Sequence, residues 1–359
     1  MERINNLLIT LVEKGKAPSV QYLLFDRDQI LHEFGAGFTD VINRKQSEKY
    51  TVYKGFSVTK TFTALAVLQL AEKGKVDLDQ SAKGYLEDFN YSEEITVRQL
   101  LGHTAGIPNP NPLSWIHPAA KHDSFSGDLF FNQIFEKHPK VKSQPGKKFA
   151  YSNLGYVYLG RLVESVSGMG YEEYVQKNII EPLELEPSDL GFEYIDSALY
   201  AKGYHKKNSL LNWIMGLFID KKVYRGKPEG KWQPFLPYYV NGASYGGLMG
   251  SPVGFMKYVQ ELLKDDSKLL SPGFKNQMFT ENQTLDHQPT GMSLSWFIGK
   301  LNDQRYCAHA GGGGGFYCEI RLYPEKGIGS IIMFNRSGMT NESFLDKLDK
   351  FYFESRSPS

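Results

Sequence analysis

The chain has 359 residues, of which 41% are hydrophobic and 23% are charged, enough to bury one large core or two subdomains around a cleft. Its 41 Lys and Arg residues oppose 40 Asp and Glu residues, giving a formal net charge of +1. No basic run alternates with aromatic residues, which argues against a nucleic-acid partner.

Stable insertion into a membrane is not expected, because no apolar run approaches the length of a membrane span. The first apolar run, Leu7 to Val12, is too short for a signal-peptide core, and charged residues follow it instead of a small-residue cleavage site. Two cysteines, Cys307 and Cys318, are too few for a disulfide framework, although they could lie on neighbouring strands. We expect a cytoplasmic protein. The sequence leaves open both the oligomeric state and whether an export signal has been trimmed.

The N-terminal region is predicted to form a helix and a hairpin. Apolar residues recur at helical spacing between Ile4 and Leu11. Residues 19–25 and 30–38 then have the composition of two strands, joined by a polar turn at residues 26–28.

Near the C-terminus the sequence predicts four more strands, then a helix with Phe344, Leu345, Leu348 and Phe351 on one side. The polar turn at residues 324–327 separates the last two strands. The predicted strands are residues 291–300, 305–310, 316–323 and 328–335.

The organisation along the chain indicates an α+β fold in two domains. Residues 1–75 and 247–359 would build an antiparallel sheet flanked by helices, and residues 76–246 would be an inserted, mostly helical domain. We expect the active site in the cleft between them.

The first chemical motif begins a helix predicted over residues 55–75, which is apolar on nearly every face. Ser57 and Lys60 are three residues apart and therefore share one face of it. A lysine that burial keeps neutral can accept the proton of a serine hydroxyl and make it a nucleophile. The alternative is a capping serine with a lysine that reaches solvent. No other serine in the chain has a lysine three residues later.

The second motif is Tyr151-Ser152-Asn153, which follows Pro145-Gly146 and leads into a helix. A tyrosine next to a lysine can serve as base or proton shuttle, and the asparagine amide can hold a substrate carbonyl or the lysine. A packed tyrosine with a capping asparagine is the alternative. Tyr239-Val240-Asn241 also matches Tyr-x-Asn, so this motif is weak by itself.

The third motif is His309-Ala310-Gly311, which continues into four more glycines. Glycines let a substrate lie against backbone N–H groups, which can form half of an oxyanion hole. A phosphate loop is rejected because no Gly-Lys-Ser/Thr sequence follows. A flexible loop with an incidental histidine is the alternative.

These three motifs, in this order, resemble the serine β-lactamase and penicillin-binding-protein superfamily. The similarity is stronger to the branch with class C β-lactamases, D-alanyl-D-alanine carboxypeptidases, D-aminopeptidases and β-lactamase-like carboxylesterases. It extends to GFTDVINRKQ, LLGHTAGIP, YEEYVQKNIIEPLELEPSDLG and SYGGLMGSPVGFMKYV, and so to most of the chain. The resemblance implies the α/β sandwich of serine β-lactamases.

The resemblance also implies a role for each motif residue. Ser57 would be the acylated nucleophile, with Lys60 and Tyr151 as the proton-transfer pair. Asn153 would contact the substrate and Lys60. The strand lining the cleft would include His309 and Gly311, and the N–H groups of Ser57 and Gly312 would form the oxyanion hole.

The sequence departs from the family pattern at one motif and contains one unusual segment. Many β-lactamases have Lys-Thr-Gly where this chain has His-Ala-Gly, and a neutral histidine is a weaker anchor for a carboxylate. The segment 203–246 is rich in aromatic residues. It could be a wall or lid over an acyl pocket, a domain core or, less readily, a membrane-surface contact.

We therefore predict a serine hydrolase that needs no metal or cofactor, with a small ester, amide or β-lactam as its substrate. A carboxylesterase is preferred over a D-amino-acid peptidase or β-lactamase. A binding or assembly protein on the same fold is the rival from a different class. His103, His117 and His122 match no compact zinc-ligand spacing, and we expect His103 to shape the loop near the cleft.

Overall fold

The computed structural model of the protein describes residues 1–209, 217–218, 220–339 and 343–356. Its centre is a seven-stranded antiparallel sheet with the strand order β11-β12-β13-β14-β1-β2-β3. These strands are β1 (Ser19–Asp26), β2 (Ile30–Asp40), β3 (Lys45–Gln46), β11 (Phe297–Leu301), β12 (Gln304–Gly313), β13 (Phe316–Tyr323) and β14 (Ile328–Phe334).

Shorter strands form three small sheets, in which β10 pairs with both β4 and β6, β5 pairs with β9, and β7 pairs with β8. They are β4 (Tyr53–Lys54), β5 (Ile116–Pro118), β6 (Leu190–Gly191), β7 (Tyr204–Lys206), β8 (Trp232–Pro234), β9 (Tyr238–Val240) and β10 (Met249–Gly250).

Eleven α-helices can be described in these parts of the chain. They are α1 (Glu2–Glu13), α2 (Thr59–Glu72), α3 (Val97–Leu101), α4 (Gly127–Lys137), α5 (Asn153–Ser167), α6 (Tyr171–Val175), α7 (Lys221–Tyr224), α8 (Ala243–Gly246), α9 (Pro252–Leu263), α10 (Pro272–Phe279) and α11 (Ser343–Glu354).

The central strands β1, β13 and β14 of the large sheet are buried on both faces. Successive side chains of a strand point to opposite sides, so each of these strands contributes to two apolar clusters. On β1, Tyr22 and Leu24 join one apolar cluster with residues of α1 and α11. Leu23 and Phe25 join the larger cluster on the other face, with residues of α2, α5 and α9. The predicted fold is confirmed: strands from both ends of the chain pair directly, as in the register Leu23 to Ile331.

The helix α2 runs through the larger core. Every residue from Thr59 to Leu70 is buried, which explains why no polar face is visible in its sequence. It packs against α5 and α8. The predicted start of this helix needs one correction, since residues 56–58 form a 3-10 turn and the α-helix begins at Thr59.

The strand predicted at residues 291–300 is the clearest local difference. The structure has a strand only from Phe297, because Ser295 adopts a positive φ of 77° and Ser293 N donates to Trp296 O, which turns the chain. Cys307 and Cys318 do lie on neighbouring strands, but Cys307 pairs with Leu322 and both thiols are free. The domain limits at residues 75 and 246 stay a prediction.

The helices of the chain were compared with the requirements of a membrane span, which needs about 20 predominantly apolar residues. Among the described residues, no helix combines the length and the apolar character needed to cross a bilayer.

Candidate active site

Ser57 and Lys60 lie side by side at the start of α2. Ser57 belongs to the 3-10 turn, and Lys60 belongs to the first turn of the helix. Lys60 Nζ is 3.1 Å from Ser57 Oγ, which is hydrogen-bond distance. The hydroxyl is partly exposed, whereas the lysine is fully buried. The hydroxyl can therefore meet a ligand while the amine stays shielded from water.

The surroundings of Lys60 favour a neutral amine. Burial lowers the pKa of Lys60 well below its usual value. Its remaining hydrogen bond is to the backbone carbonyl oxygen of Tyr245, at 2.7 Å, and the rings of Tyr151, Tyr156 and Tyr245 surround it. No carboxylate of the described chain forms an ion pair with this amine. An uncharged Lys60 can accept a proton from Ser57.

Tyr151 lies in the loop immediately before α5, next to both residues. Burial raises the pKa of its phenol, and a hydrogen bond with the Ser57 hydroxyl only partly offsets that effect. Tyr151 is therefore a protonated phenol near neutral pH. In the second Tyr-x-Asn sequence, neither Tyr239 nor Asn241 lines the space at Ser57. Tyr239 accepts a hydrogen bond from Tyr194 N, and Asn241 pairs with His117.

His103 supports the loop that carries Tyr151. Its ring stacks on the Tyr151 ring with centroids 4.3 Å apart, and its Nδ1 accepts a hydrogen bond from Ser152 N at 3.1 Å. Its backbone oxygen also accepts from Ala150 N. Burial lowers the pKa of His103 well below its usual value, as does the nearby Lys60. The predicted loop-shaping position of His103 agrees with these contacts.

Asn153 begins α5, and its position differs from the prediction in one contact. Its backbone N–H donates to Asn109 Oδ1 at 3.0 Å. Its own Oδ1 is buried and has no hydrogen-bond partner among the described residues. The predicted contact of Asn153 with Lys60 is therefore not made through a hydrogen bond to this oxygen, and an acceptor is left free beside Ser57.

His309 and the glycines after it form the strand on the opposite side of Ser57. His309 is almost fully buried, 6.5 Å from Tyr151 between ring centroids. Burial lowers its pKa to about 3, so the ring is neutral at pH 7. The backbone of Gly311 touches the turn at Gly55 and Ser57.

A narrow cavity of about 90 Å³ opens at Ser57. Ser57, Asn153, Gly312 and Tyr245 all line it. The other lining residues are Phe56, Pro112, Leu113, Ile116, Val240, Gly246, Gly313 and Gly314. Ser57 and Gly312 thus border one space, but among the described residues no Lys or Arg side chain lines it.

Two elements of this site were not assigned from the sequence. The carbonyl of Tyr245 holds Lys60, and the only signal for it was the stretch SYGG, which carries no obvious chemistry. Phe56, immediately before Ser57, adopts a positive φ of 45°. Such a backbone is uncommon for a bulky residue, and sequence spacing gives no indication of it.

Different parts of the aromatic segment 203–246 lie in different surroundings. Val240, Tyr245 and Gly246 line the Ser57 cavity, in keeping with a wall. Tyr204, Trp232 and other aromatic residues are buried, in keeping with a core. Phe218 is exposed, and Trp213 lies outside the described residues.

Two of the three histidines that we excluded as zinc ligands, His117 and His122, contact each other. His117 Nε2 lies 3.0 Å from His122 Nδ1, and their rings are stacked. No cluster of three potential metal ligands occurs in the described part of the chain.

Known proteins were compared with this chain. Its residues 4–350 match the Beta-lactamase family. The protein flp of Staphylococcus aureus is 25% identical over 355 residues, which cover 97% of this chain and 64% of that protein. This chain therefore spans slightly less than two thirds of the length of that relative.

Solved structures have the same fold. The D-amino acid amidase of Ochrobactrum anthropi superposes with a TM-score of 0.80 at 19% identity, and 99% of each chain is covered. EstCE1, described as a hydrolase with promiscuous acyltransferase activity, gives a TM-score of 0.74 at 19% identity, with 98% of each chain covered. With its fold and nearly its whole length matched, this chain belongs to the Beta-lactamase family of serine β-lactamase-fold proteins.

Proposed function

We propose that this protein is a serine hydrolase that cleaves small uncharged esters through an acyl-enzyme on Ser57. The observation that carries the proposal is the buried amine of Lys60 at 3.1 Å from Ser57 Oγ, in surroundings that lower its pKa and so favour the neutral form. A serine hydroxyl needs a neighbouring base to become a nucleophile, and an uncharged lysine is such a base.

In the first half of the reaction, Lys60 Nζ accepts the Ser57 proton while Oγ bonds to the substrate carbonyl carbon. The carbonyl oxygen becomes an oxyanion, which the N–H groups of Ser57 and Gly312 stabilise. The carbon–oxygen bond to the alcohol then breaks. The departing alkoxide takes a proton from the Tyr151 phenol, which recovers one from the Lys60 ammonium.

The high pKa of Tyr151 supports a shuttle rather than an initial base. In the second half, water attacks the acyl group on Ser57 and gives its proton to the same pair. The bond from the acyl carbon to Oγ breaks, the serine regains its proton, and a carboxylic acid is released.

Uncharged substrates are favoured by the walls of the cavity. A carboxylate taken out of water needs a cationic partner, and the described lining provides no lysine or arginine. His309 is neutral and buried, so it supplies no positive charge either. β-Lactams and peptides with a terminal carboxylate would lack this anchor. A small cavity of about 90 Å³ also suits a short acyl group.

A second candidate is hydrolysis of small amides, including amides of D-amino acids. The free Oδ1 of Asn153 favours it, because this buried oxygen would accept a hydrogen bond from a substrate N–H group. An ester has no such donor at its scissile bond. The fold neighbour from Ochrobactrum anthropi is named as an amidase of this kind.

The test compares initial rates on three substrates: p-nitrophenyl acetate, D-phenylalanine amide and a chromogenic cephalosporin. Each rate is measured for wild type and for Ser57→Ala, with circular dichroism to verify folding. Faster ester turnover that is lost in the variant supports the esterase, and faster amide turnover supports the second candidate. Cephalosporin turnover faster than that of the other two substrates would contradict the preference for uncharged substrates. A protein without activity on any of the three substrates would favour a binding role.

A further inference from the structure

A second and larger cavity lies apart from Ser57. Its volume is about 640 Å³, within the roughly 300–1,000 Å³ of typical small-molecule sites. Aromatic rings and prolines dominate its walls. They include Tyr194, Tyr200, Phe235, Tyr238, Phe316 and Pro234.

The phenols in these walls have no hydrogen left to donate to a ligand. Tyr194 donates to Tyr238 O at 3.2 Å, Tyr200 to Glu193 O at 2.6 Å, and Tyr238 to Gly314 O at 2.6 Å. A phenol has a single hydrogen to donate, so each is already satisfied.

The charged residues deeper in the lining are also paired. Lys202 Nζ lies 3.1 Å from Glu229 Oε1 and 2.9 Å from Asp40 Oδ2. The other carboxylate oxygen of Glu229 accepts a hydrogen bond from Tyr204 at 2.7 Å. A charged ligand would have to break these pairs, whereas an apolar group would leave them intact.

The mouth of the cavity is apolar too. Ile42 and Leu236 both line the cavity, although 63% and 41% of their surfaces are exposed. Exposed large apolar side chains beside a concave apolar site favour the entry of an apolar ligand, because contact with it removes their surface from water.

The cavity is distinct from the Ser57 site but touches it through one side chain. Tyr238 lines the large cavity, while Gly314, which accepts its hydrogen bond, lines the cavity at Ser57. The same hairpin of β12 and β13 therefore borders both spaces. A ligand in the large cavity would be close to the glycine strand without reaching the serine.

We propose that this large cavity is a binding site for an uncharged apolar molecule, such as a medium-chain aliphatic alcohol or an aromatic compound. The paired polar groups of its walls and its exposed apolar side chains favour an uncharged ligand, and Lys227, which also lines the cavity, is exposed to solvent. The proposal is independent of Ser57 chemistry and is tested by binding alone.

The test uses the uncharged dye Nile red, whose fluorescence rises in apolar sites, titrated into the Ser57→Ala protein so that no turnover intervenes. Octanol serves as an apolar competitor and glycerol as a polar one. The blocking variant is Ser197→Trp, at an exposed position in the lining. The matched control is Ala198→Trp, at the next, equally exposed position outside the lining.

We expect saturable binding of one dye per chain, displaced by octanol but not by glycerol. Ser197→Trp should weaken it at least about tenfold, and Ala198→Trp should leave it unchanged, with melting temperatures of both variants near wild type. The proposal is overturned if binding is not saturable, or if both tryptophan variants bind the dye equally well.

Discussion

Gly311 lies directly against the backbone of Gly55. A methyl group added at Gly311 would overlap the Gly55 carbonyl oxygen and come within 2.7 Å of Ser57 N. Strand β12 and the turn that carries Ser57 are therefore in backbone contact that a side chain would break. We infer that this contact sets the distance between the serine and the glycine N–H groups opposite.

Gly311→Ala is expected to lower kcat/KM for ester hydrolysis by about 10²-fold, the cost of a displacement near 1 Å in an active site. Overpacking should also destabilise the fold by about 1–3 kcal/mol. Gly312→Ala is the control for stability, because an added methyl there has its nearest neighbour at 3.6 Å. Wild-type kinetics and unfolding for Gly311→Ala would show that the contact is dispensable.

Lys60 is expected to act as a base below the pH at which an ordinary lysine loses its proton. Since burial lowers its pKa well below the usual value, kcat/KM should become level as the pH rises before it reaches the alkaline range in which an ordinary lysine titrates, about pH 8 to 10. A lysine with an ordinary pKa near 10.4 would instead give a rise of about tenfold per pH unit over that range. Lys60→Met should lose at least about 10²-fold in kcat/KM. A pH profile from 5 to 10 distinguishes the two cases.

Tyr151→Phe is expected to lower kcat by at least about 10²-fold with little change in KM, because it removes the proton shuttle but keeps the ring on His103. Tyr239→Phe is the matched control, since it alters the tyrosine of the other Tyr-x-Asn sequence. Steady-state kinetics of both variants provide the test. Equal effects of the two substitutions would argue against a special role for Tyr151.

Lys54 is expected to make stability depend on pH. It is only 4% exposed, its Nζ lies 4.7 Å from the Tyr238 ring centroid, and burial lowers its pKa to about 7. In the unfolded chain the pKa is near 10.4, so between these values the unfolded state binds more protons. Stability should therefore rise with pH across that window relative to Lys54→Met, by up to about 1.4 kcal/mol per unit.

The measurement is the free energy of unfolding in urea at several pH values, with Lys73→Met as an exposed control. Parallel pH curves for wild type and Lys54→Met would contradict the expected titration of this buried lysine.

Arg321 is expected to be important for stability. It is buried between the sheet and α11, 3.1 Å from Glu319 and 2.6 Å from Asp346. Arg321→Met would leave Glu319 and the buried Asp349 without their cation, which typically costs about 3–5 kcal/mol. The exposed pair of Arg3 with Glu354 is the comparison, where Arg3→Met should cost at most about 1 kcal/mol. Denaturation curves with similar midpoints for the two variants would refute this.

Elements with a strong local pattern could be predicted from the sequence. The first helix, the first hairpin and the strands after residue 304 agree with their periodicity, because one face of each is buried against the large sheet or its helices. The strand at residues 291–296 failed, because the positive φ of Ser295 has no glycine to indicate it.

The motif residues of the candidate site could be named from spacing, but their environment could not. The lowered pKa of Lys60 depends on burial among tyrosines from two segments that are far apart in the sequence, Tyr151 with Tyr156 and Tyr245. The carbonyl of Tyr245 that holds it belongs to the backbone, which sequence motifs do not identify. The free Oδ1 of Asn153 was also unexpected, since a contact with Lys60 was predicted.

The most direct test of the central claim is mass spectrometry of protein quenched in acid during turnover of p-nitrophenyl acetate. We expect one acetyl group on the peptide that contains Ser57. We expect no acetyl group on the corresponding peptide of Ser57→Ala. An acetyl group on a different residue, or ester turnover by Ser57→Ala at the wild-type rate, would contradict it.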